Sequence, residues 1–209
     1  MERRAGEYLA PPIIMDNKWE DLYARGETPW EKGRAHPELV AFLRRQPMSG
    51  RVLVPGCGHG HDVRAIAACA DEVVGLDIAE GAIAAAENYP VTGGERFVLG
   101  DLFNLSPRWR GQFDWVFEHT CFCAIDPEMR PAYVESVAAA LRPGGHLLAI
   151  FYMNPDMDPG ETGPPHGSTA EALDTLFSPA FERLGEWVPS ETFAGRDERE
   201  LVRWLRRRA

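Results

Sequence analysis

The stretch "RVLVPGCGHGHD", residues 51–62, decides the fold. An apolar run passes directly into Gly56, Gly58 and Gly60 and then into the Ala-rich segment "HDVRAIAACA". A strand, a glycine turn and a helix in this order are typical of open α/β sheets, which bind ligands where their strands end. The turn has neither the G-K-[ST] of a phosphate loop nor the glycine spacing of the dinucleotide fingerprint. It therefore favours a ligand without phosphates that lies close to the main chain.

Apolar strands and Ala-rich helices alternate along the rest of the chain, which indicates helices on both faces of a sheet. Further strands are predicted at "EVVGLD" (72–77), "RFVLGD" (96–101), "FDWVFEH" (113–119), "GHLLAIFYM" (145–153), "FERLGEWVPSETF" (181–193) and "ERELVRWLRR" (198–207). Helices are predicted at "DNKWEDLYARG" (16–26), "HPELVAFLRRQ" (36–46), 61–70, "AEGAIAAAENY" (79–89), "PAYVESVAAALR" (131–142) and "STAEALDTLFS" (168–178). "LRPGG" (141–145) is expected to end a helix. We predict one Rossmann-like, doubly wound and mostly parallel α/β domain of about seven strands over 1–209. Residues 1–48 form an N-terminal helical lid, 49–209 the core, and the C-terminal strand is antiparallel.

Composition restricts the classes of partner. The chain has 209 residues, of which 44% are hydrophobic, and 22 basic against 32 acidic residues give a net charge of −10. Such a charge argues against binding to nucleic acid or to an anionic membrane. The four cysteines do not form a disulfide framework, and neither a signal peptide nor a membrane span is evident. We expect a cytoplasmic monomer that acts on a small molecule.

Two aspartates follow the second and third predicted strands. Asp77 ends "VVGLD", where a carboxylate can accept hydrogen bonds from both hydroxyls of a ribose. Asp101 ends "FVLGD", where a carboxylate can accept from an adenine amino group while the amide of Leu102 donates to a ring nitrogen. Either aspartate alone could simply cap the next turn. Together with the glycine turn, they favour a ligand that contains adenosine.

These segments resemble the class I S-adenosylmethionine-dependent methyltransferases. The resemblance rests on "VLVPGCGHGHD", "VVGLD", "GDLF", "FDWVFEHTCFCAI" and "LRPGGHLL". The segments "LYARGETPWEKGRAHPEL" and "GPPH" narrow it to the thiopurine S-methyltransferase and plant thiol/halide methyltransferase superfamily. The likeness extends over roughly residues 17 to 205.

The resemblance implies S-adenosylmethionine as the cofactor and assigns residues to it. The backbone of Gly56, Cys57 and Gly58 would pass its methionine part, and Glu118 would face the methionine amino group. Asp77, with Ile78 beside it, would hold the ribose, and Asp101 with Leu102 the adenine. Trp19 and Trp30 would close over the cofactor, since aromatic faces suit a sulfonium cation. Ordinary core packing is the alternative for both tryptophans.

The acceptor side departs from the plant pattern, because this chain has "EHTCFCAI" where those enzymes carry "DYTFFCAL". His119 is the candidate catalytic base, with a simple structural histidine as the alternative. Cys121, Phe122, Tyr152 and His166 are candidates for the acceptor pocket, which the loop "NPDMDPGETGPPHGS" (154–168) would help to close. His59 and His61 are expected to orient the glycine turn. We expect no metal: His119, Cys121 and Cys123 alternate as ligands might, but no fourth ligand with familiar spacing follows.

The resulting expectation is a methyltransferase that methylates a small acceptor by in-line displacement, at the sulfur of a small thiol or thiopurine-like compound. A halide, oxygen or nitrogen acceptor of the same fold remains an alternative. A cofactor-binding module without turnover is a second alternative. A nicotinamide-dependent oxidoreductase is disfavoured by the glycine spacing and by the lack of room for a separate substrate domain.

Overall fold

A computed structural model describes residues 18–158 and 160–209, which contain a seven-stranded mixed sheet. The strands are β1 (Arg51–Pro55), β2 (Glu72–Asp77), β3 (Glu95–Leu99), β4 (Phe113–His119), β5 (Leu141–Tyr152), β6 (Phe181–Trp187) and β7 (Glu200–Arg207). The helices are α1 (Lys18–Arg25), α2 (Pro37–Arg45), α3 (His61–Ala67), α4 (Glu80–Glu87), α5 (Arg130–Ala140) and α6 (Ala170–Phe177).

The strands lie in the order β3-β2-β1-β4-β5-β7-β6. The pairs among β1 to β5 are parallel, whereas β7 pairs antiparallel with both β5 and β6. The direction in which strands are added reverses between β1 and β4, and open α/β sheets bind ligands at such a switch point. The predicted doubly wound, mostly parallel fold with an antiparallel C-terminal strand is confirmed.

Two apolar clusters fill the space between sheet and helices. One contains Tyr133 of α5 and Phe177 of α6, and the other contains Phe42 of α2 and Ile66 of α3. Both clusters also take residues from the central strands, such as Leu53 and Val52 of β1, whose alternate side chains point to opposite faces. Burial on both faces explains why the central strands are almost continuously apolar.

The structure corrects two strand predictions. β5 begins at Leu141 rather than 145, so "LRPGG" is part of the strand; Leu141 pairs with Phe113 and His146 with Trp115, and the residues between them bulge. Pro143 has no N–H for the ladder, and Gly144 has φ +74°, which explains a bulge at this position. β6 ends at Trp187 rather than 193. Pro189 follows shortly after and cannot donate to a ladder hydrogen bond.

The part of the predicted lid that the structure describes packs on the core; residues 1–17 lie outside the described residues. An added Cβ at Gly81 of α4 would lie 2.6 Å from Cβ of Tyr23 in α1, so the two helices approach closely. The Gly81 N–H also donates to Oε2 of Glu20 at 3.0 Å. α1 is therefore fixed beside the tips of β1 and β2, where the glycine turn lies.

Candidate active site

The glycine turn connects β1 to α3 through three residues with positive φ. These angles are +60° at Gly56, +51° at Gly58 and +74° at Gly60. A Cβ on Gly56 would lie 2.9 Å from Cβ of Cys121, closer than real contacts allow. The turn therefore requires glycine for its backbone conformation and, at Gly56, also because the segment after β4 lies against it.

Asp77 at the end of β2 is bound to the turn. Its Oδ2 accepts the Gly58 N–H at 2.9 Å, and its Oδ1 accepts the Ala79 N–H at 3.0 Å. Burial raises the pKa of Asp77, and the hydrogen bonds from Ala79, Gly58 and Ile78 oppose that rise. The structure thus brings Gly58, Asp77 and Ile78 together.

Asp101 lies at the adjacent strand tip. β3 pairs with β2 so that Leu99 is opposite Asp77, and the Gly100 N–H donates to the Asp77 carbonyl at 2.8 Å. Oδ1 of Asp101 accepts the Phe103 N–H at 2.8 Å and caps a short 3₁₀ turn. Leu102, the first residue of that turn, packs into the core. Asp101 therefore caps this turn, which is one of the two roles that the sequence allowed. It lies two residues beyond Leu99, the residue opposite Asp77.

Glu118 of β4 is almost completely buried, with 1% of its surface exposed. Its Oε1 accepts the Phe122 N–H at 2.8 Å, and its Oε2 accepts a hydrogen bond from the Tyr133 hydroxyl. Burial raises the pKa of Glu118 and of the Tyr133 phenol, which therefore stays protonated and donates. Glu118 holds the segment after β4 against α5. Its contact with the methionine amino group remains a prediction.

Aromatic side chains of the lid segment form a group above the glycine turn. Trp19 and Trp30 meet edge to face with ring centroids 5.4 Å apart. The Trp30 indole donates to the Tyr23 hydroxyl at 3.3 Å, and that hydroxyl lies 3.3 Å from the position of a Cβ on Gly58. Both predicted tryptophans therefore lie beside the turn, with Tyr23 between them and the backbone.

His119 at the end of β4 is oriented by Asp62, the second residue of α3. His119 Nδ1 lies 2.9 Å from Oδ2 of Asp62, while Oδ1 of Asp62 accepts the His36 N–H at 2.8 Å. Burial would raise the pKa of Asp62, but the His119 imidazole and the His36 hydrogen bond lower it, so the carboxylate is ionised. An ionised carboxylate only accepts hydrogen bonds, so the ring proton lies on Nδ1 and Nε2 is the nitrogen that can act as an acceptor.

Nε2 of His119 faces a buried arginine, Arg196, from the connection between β6 and β7. The Arg196 Nη1 lies 3.4 Å from this nitrogen and 3.1 Å from Oε1 of Glu200, and the guanidinium lies 4.7 Å above the Tyr152 ring. Oε2 of Glu200 accepts hydrogen bonds from His36 Nε2 at 2.9 Å and from the Thr192 hydroxyl.

Two pKa shifts fix the charges around this arginine. Burial would raise the pKa of Glu200, but hydrogen bonds from His36 and from the Thr192 hydroxyl lower it to about 2. Burial lowers the pKa of His36, so its imidazole is neutral and donates from Nε2 while Nδ1 accepts the Glu38 N–H. Near neutral pH the group therefore holds two carboxylates, Asp62 and Glu200, and one guanidinium, with His119 between them.

Comparison with known proteins assigns the family. The family model described as thiopurine S-methyltransferase matches residues 14–188. Thiocyanate methyltransferase 1 of Brassica oleracea is 37% identical over 201 residues, which cover 93% of this chain and 87% of that protein. The protein of the same name from Arabidopsis thaliana is 39% identical, with 91% and 85% covered. The chain belongs to the thiopurine S-methyltransferase family. It is an S-adenosylmethionine-dependent methyltransferase, and the predicted family and cofactor are confirmed.

The fold agrees with this family. A crystal structure of Burkholderia thailandensis 1,6-didemethyltoxoflavin-N1-methyltransferase, with bound 1,6-didemethyltoxoflavin and S-adenosylhomocysteine, aligns with a TM-score of 0.69. The two chains are 20% identical, and the alignment covers 92% of this chain and 86% of the other. At this identity the likeness concerns the fold alone.

The glycine turn of this family member fits S-adenosylmethionine. Among the described residues, an added Cβ at Gly58 would meet only the Tyr23 hydroxyl within 4 Å, so the backbone there is open to a ligand. The Asp77 carboxylate accepts the Gly58 N–H, Asp101 follows the neighbouring strand, and the Trp30 indole donates to the Tyr23 hydroxyl beside Gly58. Carboxylate acceptors of hydrogen bonds and aromatic faces suit a cationic nucleoside that carries no phosphate.

The four predicted pocket residues of the methyltransferase lie in different surroundings. Cys121 contacts the glycine turn, and burial raises the pKa of its thiol well above the usual range. Tyr152 lies under the Arg196 guanidinium. The His166 N–H donates to the Cys123 carbonyl at 2.7 Å, so the Pro-rich loop is attached beside the segment after β4. Phe122 is buried in the core, and its role in an acceptor pocket remains a prediction.

Sequence reasoning missed several residues that the structure brings to this site: Tyr23, His36, Asp62 as the partner of His119, Arg196 and Glu200. Tyr23 follows Trp19 by four residues, which places both on one helix face and was a usable signal. Asp62 adjoins the turn in sequence, but no motif connects it to His119, 57 residues away. Arg196 and Glu200 lie in the closing hairpin, where only the tertiary fold brings them to β4.

Among the described residues, no helix combines the length and apolar character needed to cross a membrane.

Proposed function

We propose that this methyltransferase methylates a small sulfur nucleophile that reacts as an anion, a thiolate or thiocyanate. The observation that carries the proposal is the buried Arg196, which faces His119 Nε2 and covers Tyr152. Two relatives at 37% and 39% identity are named thiocyanate methyltransferases, which supports the same class of acceptor.

A buried guanidinium beside an imidazole suits an acceptor that must lose a proton. Nε2 of neutral His119 would take the proton of a bound thiol, because Asp62 holds the proton of the ring at Nδ1. The resulting imidazolium and Arg196 would then both donate to the thiolate. Asp62 and Glu200 balance these two cations, so the site can hold an anion without leaving an unpaired buried charge. Thiocyanate is already an anion, so it needs no base and would use only the positive charge of Arg196.

The cofactor-binding roles follow the positions of the residues around the turn. The backbone of Gly56, Cys57 and Gly58 would pass the methionine part, and Glu118 would serve its amino group. Asp77 and Ile78 would hold the ribose, Asp101 and Leu102 the adenine, and Trp19 and Trp30 would cover the ligand and exclude water. When bound, S-adenosylmethionine would supply a methyl group on a sulfonium; a nucleophile in line with the C–S bond would take the methyl carbon while S-adenosylhomocysteine leaves. Such displacement depends on position and dryness rather than on a further cofactor.

We propose that the protein works as a monomer in the cytoplasm. The lid helix α1 and the glycine turn belong to one chain and are already in contact, so the site needs no second copy. The net charge of −10 opposes the use of nucleic acid as a substrate.

The test is a turnover assay with an acceptor panel. The purified protein is incubated with S-adenosylmethionine and either sulfide, an aromatic thiol, thiocyanate, iodide or a primary amine, and S-adenosylhomocysteine is measured. We expect turnover with thiols or thiocyanate to exceed turnover with the amine. Turnover restricted to iodide or to the amine would contradict a sulfur acceptor. Binding of S-adenosylhomocysteine without turnover on any member would instead indicate a binding module.

A further inference from the structure

A second polar cluster lies on the other side of the glycine turn, outside the His119 group. Glu31 belongs to the lid segment after α1, and His59 and His61 flank Gly60 at the start of α3. Oε2 of Glu31 lies 3.1 Å from His59 Nδ1, and its Oε1 lies 3.0 Å from His61 Nε2. One ligand atom from each of the three residues lies within 4.8 Å of the other two.

The contacts within this cluster leave one nitrogen unsatisfied. The His61 Nε2 atom is buried and, among the described residues, has no hydrogen-bond partner, although a Glu31 oxygen is only 3.0 Å away. The oxygen therefore lies off the axis of the ring nitrogen. Buried polar nitrogens without partners are rare, and a ring nitrogen that serves as a metal ligand is one explanation. The side chains of Glu31, His59 and His61 are 16–21% exposed, so the cluster is shielded but can be reached from solvent.

We propose that Glu31, His59 and His61 form a binding site for a divalent transition-metal ion of the zinc class. Two imidazoles and one carboxylate are a ligand set that suits Zn²⁺ and its late transition-metal neighbours, and three protein ligands leave a position for water. Mg²⁺ and Ca²⁺ prefer sets made of oxygen ligands and are poor candidates. Ligand atoms around one zinc ion lie at most about 4 Å apart, so a small rotation of one side chain brings all three into range.

The ion would connect two parts of the structure, the lid segment and the glycine turn, that flank the proposed cofactor site. Glu31 lies one residue after Trp30 in the lid, whereas His59 adjoins Gly58 in the turn. The metal would therefore hold the lid against the turn and slow the release of S-adenosylhomocysteine. This consequence rests on the proposed function, but binding of the metal does not.

The first experiment measures zinc binding without any cofactor. The chelator-treated full chain is dialysed against buffered Zn²⁺, and the bound metal is counted; Mg²⁺ serves as the comparison ion. We expect about one zinc per chain in the wild type, and affinity lowered by more than about 100-fold in Glu31→Gln and in His61→Asn, since removal of an outer-shell partner alone already costs 10- to 100-fold. Glu27→Gln, an exposed acid of the same lid segment, and His166→Asn, a histidine outside the cluster, are matched controls and should bind like the wild type.

Circular dichroism shows whether each variant is folded, and Co²⁺ in place of zinc gives a visible absorption band that only liganded metal produces. The proposal is overturned if the wild type binds no zinc. It is also overturned if Glu31→Gln and His61→Asn both bind as the wild type does, or if the two controls lose as much affinity as the cluster variants do. In the latter two cases Glu31, His59 and His61 do not hold the metal, and Glu31 only contacts the two imidazoles.

A second measurement separates this inference from the proposed function. Binding and release of S-adenosylhomocysteine are followed with chelator and with Zn²⁺. Binding in chelator without any zinc effect supports the cofactor site and refutes the metal connection between lid and turn. Zinc binding without any S-adenosylhomocysteine binding supports the metal site and contradicts the proposed cofactor site.

Discussion

His119 and Asp62 are joined by a 2.9 Å contact between Nδ1 and Oδ2, although they come from different elements, β4 and α3. The same carboxylate accepts the His36 N–H, so it is held from two sides. This arrangement presents Nε2 of His119 to Arg196. A proton acceptor and an anion-binding group therefore lie next to each other at the carboxyl end of the sheet.

Replacing His119 should lower kcat/KM for thiols much more than kcat/KM for thiocyanate. His119→Asn keeps a donor for Asp62 but has no basic nitrogen, so we expect kcat/KM for a weakly acidic thiol to fall by about 10²–10⁴-fold. Thiocyanate brings no proton, and its kcat/KM should change much less. Steady-state kinetics with both acceptors checks this. Equal losses for the two acceptors would show that His119 positions the acceptor and is not a base.

Replacing Arg196 should weaken binding of both anionic acceptors. Arg196→Gln removes the charge while keeping a donor, and a hydrogen bond to a charged group contributes about 1.5–3 kcal/mol, so we expect KM for thiocyanate to rise about 10- to 100-fold. Arg183→Gln, on the exposed side of β6, is the matched control. An unchanged KM in Arg196→Gln, measured on folded protein, would place the acceptor elsewhere.

Asp77→Asn should weaken the cofactor site. The amide keeps the size of the side chain but replaces one carboxylate oxygen with a donor, next to the Gly58 and Ala79 N–H groups. Loss of charged hydrogen bonds predicts S-adenosylhomocysteine affinity about 10- to 100-fold lower by calorimetry. Asp71→Asn, in the exposed turn before β2, should bind normally. If both variants bind equally well, Asp77 supports the turn and does not hold the ribose.

Alanine substitutions at two glycines distinguish the energetic cost of backbone strain from the cost of steric crowding. Gly26 and Gly56 both have positive φ, but a Cβ at Gly26 meets nothing within 4 Å, whereas one at Gly56 meets Cys121 at 2.9 Å. Gly26→Ala should lower the free energy of unfolding by about 1–2 kcal/mol, the usual left-handed penalty. Gly56→Ala should lower it by about 1–3 kcal/mol more because of overpacking. Denaturant titrations measure both, and equal losses would mean that the segment after β4 moves aside freely.

Acid should destabilise the fold through Glu200. Its folded-state pKa of about 2 lies below the ordinary 4.5, so its contribution to stability is present above pH 4.5 and is lost as the pH falls from about 4.5 to 2. His36, whose folded pKa is lowered, acts in the same direction: its contribution is present above about pH 6.5 and is lost below it.

The measurement compares melting temperatures of wild type and Glu200→Gln between pH 7 and pH 3. The variant should be less stable at pH 7, by an amount on the order of 3 kcal/mol, because each pKa unit corresponds to about 1.4 kcal/mol. The gap should narrow as the pH falls. Glu135→Gln, at an exposed position of α5, is the control and should follow the wild type. A gap that does not depend on pH would mean that the side chain contributes by packing rather than by charge.

Local sequence was sufficient to predict most of the strands and to predict that the glycine turn, Asp77 and Asp101 share one edge of the sheet. The glycine turn, Asp77 and Asp101 each lie at the end of an apolar strand, and parallel strands bring such ends to one edge, so contacts between them follow from the pattern. The segment 141–145 was misinterpreted because Pro-Gly-Gly ordinarily stops a helix, whereas here pairing with β4 retains it as a bulged part of β5.

The acceptor side could not be predicted in the same way. The contact of Arg196 with His119 depends on β7 pairing with β5, which brings the start of β7 to the end of β4. No spacing in the sequence encodes that proximity. The partner of His119, Asp62, stood next to the glycine turn but had no feature that connected it to β4. Both required the register of the complete sheet.

The insertion of β7 between β5 and β6 imposes an order on assembly during translation. β6 leaves the ribosome before β7, and its described pairing is with β7 alone, so it has to wait as an unpaired edge until the last strand arrives. Glu200 opens that last strand, and Arg196 just precedes it. A nascent chain can therefore complete the glycine turn and its aspartates well before the residues that receive the acceptor are in place.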